Sequence, residues 1–442
     1  MSWDSLLSSP YQLWIVLTMK FVEGVAFFSL MYILAKYLSD EFGFSDVEAG
    51  WLFAFCNGMQ FPFALCLSMV LDSWGVRRMC IIGELFLICS RLCLWLTRSR
   101  ILVYVVLLGL YPMGTAALLP ALIVGVKRFS SSQSRPYAFS LFYTGLNVAS
   151  LCVAGVLNVL RSHFHDVSDV YTSVLCLGCV SGLCGLICSP FLIERPSEEI
   201  QHLPTPAVLQ TSPISALQSS TFWRFMAVVM SFVMIRLIFG HLNATVPKWM
   251  TREFGESTPY ELYIGINPAL IIVFVPICTR LCDALALKME TSLLVGAMIS
   301  GFSPFILVAF APNTLAVVVF VVIFSIGEAI WSPKLLEYTV AIPQEGREGV
   351  YVACGSAPLY LSKFMAGATS GYLLQTYCPR PDVSGNADGC QTRSLWLAIA
   401  LTTSVTPVIL LVFYSHLFTQ VGTCQDEVAE DTALLGKRKL SC

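Results

Sequence analysis

The chain has 442 residues, of which 56% are hydrophobic and only 12% charged, with a mean hydropathy of +0.73. These values exclude a water-soluble globular domain and point to a polytopic membrane protein. A net charge of −2, without a basic stripe carrying interleaved aromatics, excludes nucleic acid as a partner and leaves the lipid bilayer and small solutes.

In chain order, residues 1–10 contain no basic residue and lack a signal-peptide pattern, so the first apolar run is expected to anchor itself. Runs of spanning length, about 20 residues each, lie at Tyr11 to Leu38, Val47 to Leu71, Met79 to Leu96, Ile101 to Val126, Tyr137 to Leu160 and Tyr171 to Ile193. A polar stretch with Pro196, Pro204, Pro206 and Pro213 follows. Six more runs come after it: Phe222 to Val246, Tyr260 to Cys282, Ser292 to Ala311, Thr314 to Ile342, Val350 to Leu374 and Leu395 to Phe418. The expected fold is an all-α integral membrane protein of twelve transmembrane helices in two six-helix pseudo-repeats. Its units would be a bundle over 1–193, a cytoplasmic linker over 194–221, a second bundle over 222–418 and a cytoplasmic tail over 419–442.

Placing both termini in the cytoplasm puts Arg77, Arg78, Lys127, Arg128, Arg135, Arg195, Arg280, Lys288 and Arg347 in loops on that side, as the positive-inside rule asks. Most of the 17 cysteines lie within spans, where they act as small apolar residues. Cys378 and Cys390 instead share a Pro- and Gly-rich loop on the opposite side, where an oxidising compartment would let them pair. No metal-spaced Cys/His cluster, cofactor motif or catalytic motif is present, so no metal, cofactor or enzyme activity is expected.

Ionisable residues inside spans are costly and mark solute or proton pathways. The set read here is Lys20, Glu23, Glu84, Arg91, Arg236, His241, Glu328, Lys334 and Glu337. Lys20 with Glu23, and Lys334 with Glu337, are three apart and read equally as local pairs or as solute contacts and a gate. Glu84 and Arg91 read as structural. Glu328 and Arg236 have no opposite charge within a turn. Glu328 could exchange a proton or receive an ammonium in a partly desolvated cavity. Arg236 offers a planar fork for a carboxylate or phosphate. Together they suit a zwitterion, or else form an interdomain ion pair. His241 and Glu23 are further proton-coupling candidates. Tyr143, Asn147 and Trp331 are candidate solute contacts.

The halves repeat at an offset of about 211 residues, the pattern of parallel six-helix repeats around a midplane site. Asp72, Gly75 and Arg77 after the second span are echoed by Asp283 and Lys288 after the eighth. Ala154-Gly155 is likewise echoed by Ala366-Gly367. The run Ser68, Asp72, Gly75, Arg77 resembles the Gly-x-x-x-Asp-x-x-Gly-x-Arg/Lys signature of the major facilitator superfamily, with serine at the first glycine. That resemblance implies gating roles for Asp72, Gly75, Arg77, Asp283 and Lys288, joined by Lys334 and Glu337.

A narrower stretch, Phe142-Tyr143 with Asn147, Ser150 and Leu151, resembles the fifth helix of the proton-coupled peptide and nitrate transporter family. Gly327-Glu328 with Leu336-Glu337-Tyr338 and Pro343 is similar to that family's tenth helix, and Glu23 with Phe27 and Phe28 to its first-helix motif. The chain departs from the pattern at Lys20, Gly24, Leu119 and Gly240-His241, where the family carries Glu, Arg, Lys and a seventh-helix Glu. The resemblances imply a secondary transporter working by alternating access, with an amino acid or short peptide as solute and a proton as possible symport partner. A small organic or inorganic anion is the alternative solute, and a non-transporting receptor or scaffold the alternative role. Glu430, Leu434 and Leu435 resemble an acidic dileucine sorting signal, which implies endosomal, lysosomal or vacuolar membranes against the plasma membrane.

Overall fold

A computed structural model describes residues 4–131, 134–164, 166–193, 220–341, 348–380 and 389–418, and every regular element among them is helical. In lipid this follows from the backbone, because a helix satisfies its own N–H and C=O groups where water cannot. Helix occupies each of the expected apolar runs. Nine helices are long and apolar enough to cross a bilayer, or ten if the pair Phe222–Ser231 and Val233–Ala244, bent by 40°, is one span. The second and eleventh expected spans do not meet that measure. The second is divided at Met59 between Asp46–Gly58 and the start of Gln60–Leu96. The eleventh, Glu348–Tyr377, carries Ser356, Ser362, Lys363, Thr369 and Ser370 along its length.

Local chemistry sets several boundaries. Leu34–Phe42 ends at Gly43 with φ 64°, a left-handed conformation that glycine adopts without a Cβ clash. Ser45 then opens Asp46–Gly58 with a reciprocal capping box: its hydroxyl accepts from the Glu48 N–H at 3.2 Å, and the Glu48 carboxylate accepts from the Ser45 N–H at 2.8 Å. Gly75, at φ 80° and ψ 168°, breaks the long helix Gln60–Leu96 and so separates the second span from the third.

The two halves meet where small residues let backbones approach, the usual device when lipid removes the hydrophobic drive for helix association. A Cβ on Gly50 would sit 2.6 Å from the Gly367 carbonyl, and one on Gly367 would sit 2.6 Å from the Ala54 nitrogen. On the other side of the interface, a Cβ on Gly265 would meet the Ala154 Cβ at 2.9 Å. The repeated Ala154 and Gly367 pairs therefore mark two equivalent seams: the fifth helix against the eighth, and the eleventh against the second. Exposed Leu85, Ile101, Val156, Val273, Leu401 and Leu411 give the outer surface an apolar face, as a lipid-facing belt requires.

Candidate functional site

The charges inside the bundle converge on the interface between the halves. Glu328, 4% exposed, lies within the span Thr314–Leu335. The Asn267 amide of the eighth helix donates to its carboxylate at 2.7 Å and lies 3.0 Å from the Ser325 hydroxyl. Two further groups act on this carboxylate: the Arg236 guanidinium of the seventh helix and the Tyr143 hydroxyl of the fifth. Tyr143 also interacts with Ser332 and packs against the cluster of Ile271, Cys278 and Ala329, so a side chain of the first half reaches the tenth helix of the second. Asn147, one turn along, donates to the Tyr143 carbonyl at 3.0 Å.

Arg236 is half-buried, and its guanidinium lies 5.1 Å from the Trp331 ring centre. Among the described residues it makes no ion pair within 4.0 Å. Its coupling to Glu328 therefore acts across a gap, the arrangement a solute with both charges would bridge. Trp331 is fully buried, with its indole N–H 3.2 Å from the Ser300 hydroxyl and its ring against Phe232. It is the platform beneath Arg236. Facing them from the first helix, Lys20 and Glu23 form a buried ion pair at 2.7 Å, and the Lys20 ammonium lies 5.2 Å from the Phe142 ring centre. His241 is buried with its Nδ1 2.8 Å from the Thr245 hydroxyl.

Lys363 of the eleventh helix is a cation in this region that the sequence reading passed over. Its half-buried ammonium lies 4.9 Å from the Phe27 ring centre. The available signal was simple: a lysine inside the run Val350 to Leu374. Glu84 and Arg91 are both buried where the third helix meets the first and sixth. There Arg91 donates to the Ala26 carbonyl at 2.9 Å. An apolar groove lined by Leu92, Leu96 and Leu102 opens on the outer surface, remote from these charges.

A second cluster closes the interface at the end of the bundle that carries Asp46. The Asp46 carboxylate, 9% exposed, receives Lys248 at 2.9 Å and Arg252 at 2.8 Å. Lys36 pairs with Glu256 at 2.6 Å, Asp40 with Arg380, and Arg161 with the buried Glu261 at 2.7 Å. Each of these pairs joins the first half to the second. Burial alone would raise the Asp46 pKa, but hydrogen bonds and charge from Arg252 and Lys248 outweigh it and hold the carboxyl below its ordinary range. No sequence motif marks a gate here, because these partners lie between 100 and 340 residues apart in the chain. Cys378 and Cys390, joined in a disulfide, hold the nearby loop, and Arg252 donates to the Cys378 carbonyl at 2.6 Å.

At the opposite end, Arg77 and Lys288 are exposed, Lys334 is half-buried, and Gly75 supplies the break already described. The side chains of Asp72, Asp283 and Glu337, and all of Glu430, Leu434 and Leu435, lie outside the described residues.

The Major Facilitator Superfamily family model matches residues 16–362. No curated protein matches the chain in sequence. Among solved structures, a peptide transporter POT in complex with sulfate superposes with a TM-score of 0.73 at 15% identity, covering 92% of this chain and 95% of that one. A POT family transporter in complex with 5-aminolevulinic acid gives 0.71 at 15% identity, covering 92% and 97%. The nucleoside transporter NupG gives 0.66 at 11% identity, covering 92% and 99%. The chain belongs to the Major Facilitator Superfamily and shares its fold with transporters of that kind.

Proposed function

We propose that this protein is a secondary transporter that moves a small zwitterion, an amino acid or short peptide, by alternating access around Glu328 and Arg236. The observation that carries this reading is the buried Glu328 carboxylate, held by Asn267 at 2.7 Å and coupled to Arg236 without direct contact. A solute ammonium would replace part of the solvation that Glu328 lost on burial, and a solute carboxylate would occupy the guanidinium fork. The similar solved structures are of proteins that hold 5-aminolevulinic acid, itself a zwitterion, or sulfate, which favours a cavity with both signs of charge.

Tyr143 and Asn147 would line the solute path and report its occupancy to the first half. Glu328 is the first candidate for proton coupling, with Glu23 and His241 behind it. In this conformation the ion pairs around Asp46 close one end, and the end bearing Arg77, Lys288 and Lys334 would be the moving gate. The termini would face the cytoplasm, the Cys378–Cys390 loop an oxidising lumen or exterior, and the tail would direct the protein to endosomal or lysosomal membranes.

The test is uptake by purified protein in liposomes, screened over amino acids, dipeptides and small anions with and without a pH gradient. Accumulation of a zwitterion that follows the pH gradient, and that Glu328→Gln abolishes, is the expected result. Absence of flux for every solute would replace this reading with a non-transporting receptor.

A further inference from the structure

We infer that Lys363 and Arg236 together form a two-cation subsite at the interface between the halves, so that the favoured solute is a zwitterion carrying one extra negative charge, such as an acidic dipeptide. This rests on the transport reading above and specifies its solute class. The packing of the seventh and eleventh helices brings the backbones that bear the two cations within about a turn of each other. A Cβ on Gly240, one turn from Arg236, would lie 3.7 Å from the Lys363 Cα. From there the Lys363 ammonium extends to the Phe27 ring of the first helix, one turn beyond Glu23. It thus crosses from the second half to the first, and it feels the charges of both Glu23 and Arg236.

Counting charges then decides the solute. Lys20 and Glu23 neutralise each other at 2.7 Å. What remains is one carboxylate, Glu328, against two cations, Arg236 and Lys363. Neither cation has an ion pair or a side-chain hydrogen bond among the described residues; each lies near an aromatic ring instead, Trp331 at 5.1 Å and Phe27 at 4.9 Å. Cation–π contact is worth about 0.5–2 kcal/mol, less than the several kcal/mol that an unpaired buried charge costs. A neutral zwitterion would satisfy Glu328 and one cation and leave the other unmatched. A solute with a second carboxylate matches all three.

The experiment uses the full chain with two probes, alanyl-alanine and alanyl-glutamate. Binding is read by thermal stabilisation in detergent and transport by uptake into liposomes. The wild type should bind alanyl-glutamate at least about tenfold tighter than alanyl-alanine. Lys363→Gln should abolish that preference, while Lys363→Arg should keep it. Equal wild-type affinities, or a Lys363→Gln effect equal on both probes, would overturn the subsite, and the wild-type comparison decides even if the variant does not fold. Charge-selective binding without uptake would keep the subsite and sink the transport reading. Uptake without charge preference would do the reverse, and neither binding nor uptake would overturn both.

Discussion

The centre of the bundle and its Asp46 end both place charges between the two halves, yet the charges are arranged in opposite ways. At the Asp46 end every acid named above is met by a base across the interface, and Asp46 is met by two. At the centre, Arg236 and Lys363 rest near aromatic rings, and Glu328 is held by a neutral amide. Saturated pairs stabilise one arrangement of the halves. Unsaturated charges leave an affinity that, on the proposed transport reading, a solute would satisfy. The difference separates a closure from a binding site more clearly than burial does, since Asp46 and Glu328 are both buried.

The largest effect should come from breaking the centre. Glu328→Gln should reduce solute uptake by about 100-fold, within the 2–5 kcal/mol typical of truncating a buried, hydrogen-bonded charge. Thermal stability in detergent should change little. Uptake within about twofold of wild type would show that the central charges are not the site.

Asp46→Asn should act on conformation instead. It leaves Lys248 and Arg252 without their carboxylate, so the closed arrangement should lose about 3 kcal/mol or more. A thiol-reactive probe should then label a cysteine placed at Ser39, beside Lys248, at least about tenfold faster than in the Ser39→Cys protein alone. Equal labelling rates would mean that the Asp46 pairs do not hold the closure.

A smaller loss is expected from Gly50→Ala. Its Cβ would have to displace the Gly367 carbonyl from 2.6 Å. Overpacking of this kind costs about 1–3 kcal/mol, read as a lowered unfolding temperature. No change would show that the second and eleventh helices have room to separate.

The smallest effect is a predicted constancy. Because the Asp46 pKa is depressed, its contribution to the closure is present above the ordinary carboxylate range and is lost only as pH falls through the lowered value. Labelling of the Ser39→Cys protein, taken relative to the unfolded protein at the same pH to cancel the falling thiolate fraction, should therefore stay constant from about pH 7.5 to about pH 5, above the ordinary Asp range. Acceleration within that window would show that the carboxylate is not held by its two bases.

Much of this was legible in the chain. Lys20 with Glu23 read equally as a local pair or as solute contacts from their spacing of three, and the structure joins them in an ion pair. The carboxylate at Glu328 stood out because it interrupts an apolar run. The break at Gly75 followed from a polar turn between apolar runs. The immediate partner of Glu328 did not follow. Arg236 is the nearest cation by role, whereas Asn267, a neutral residue inside an apolar run, makes the hydrogen bond. Trp331 read as a cavity residue, but the seventh helix bends at Phe232 and covers it, a consequence of packing that periodicity does not contain.

The sequence by itself determined that the chain is a helical membrane protein built as a repeat, because apolar runs of bilayer length leave the backbone only one way to satisfy its hydrogen bonds. It also exposed most of the charges that such runs would not carry without a purpose. Which charges saturate each other and which remain open was decided only by the tertiary structure. Asp46 meets Lys248, Arg161 meets Glu261, and Lys363 reaches Phe27 through approaches between helices far apart in the chain. Such approaches depend on where Gly50, Gly240, Gly265 and Gly367 let backbones come close.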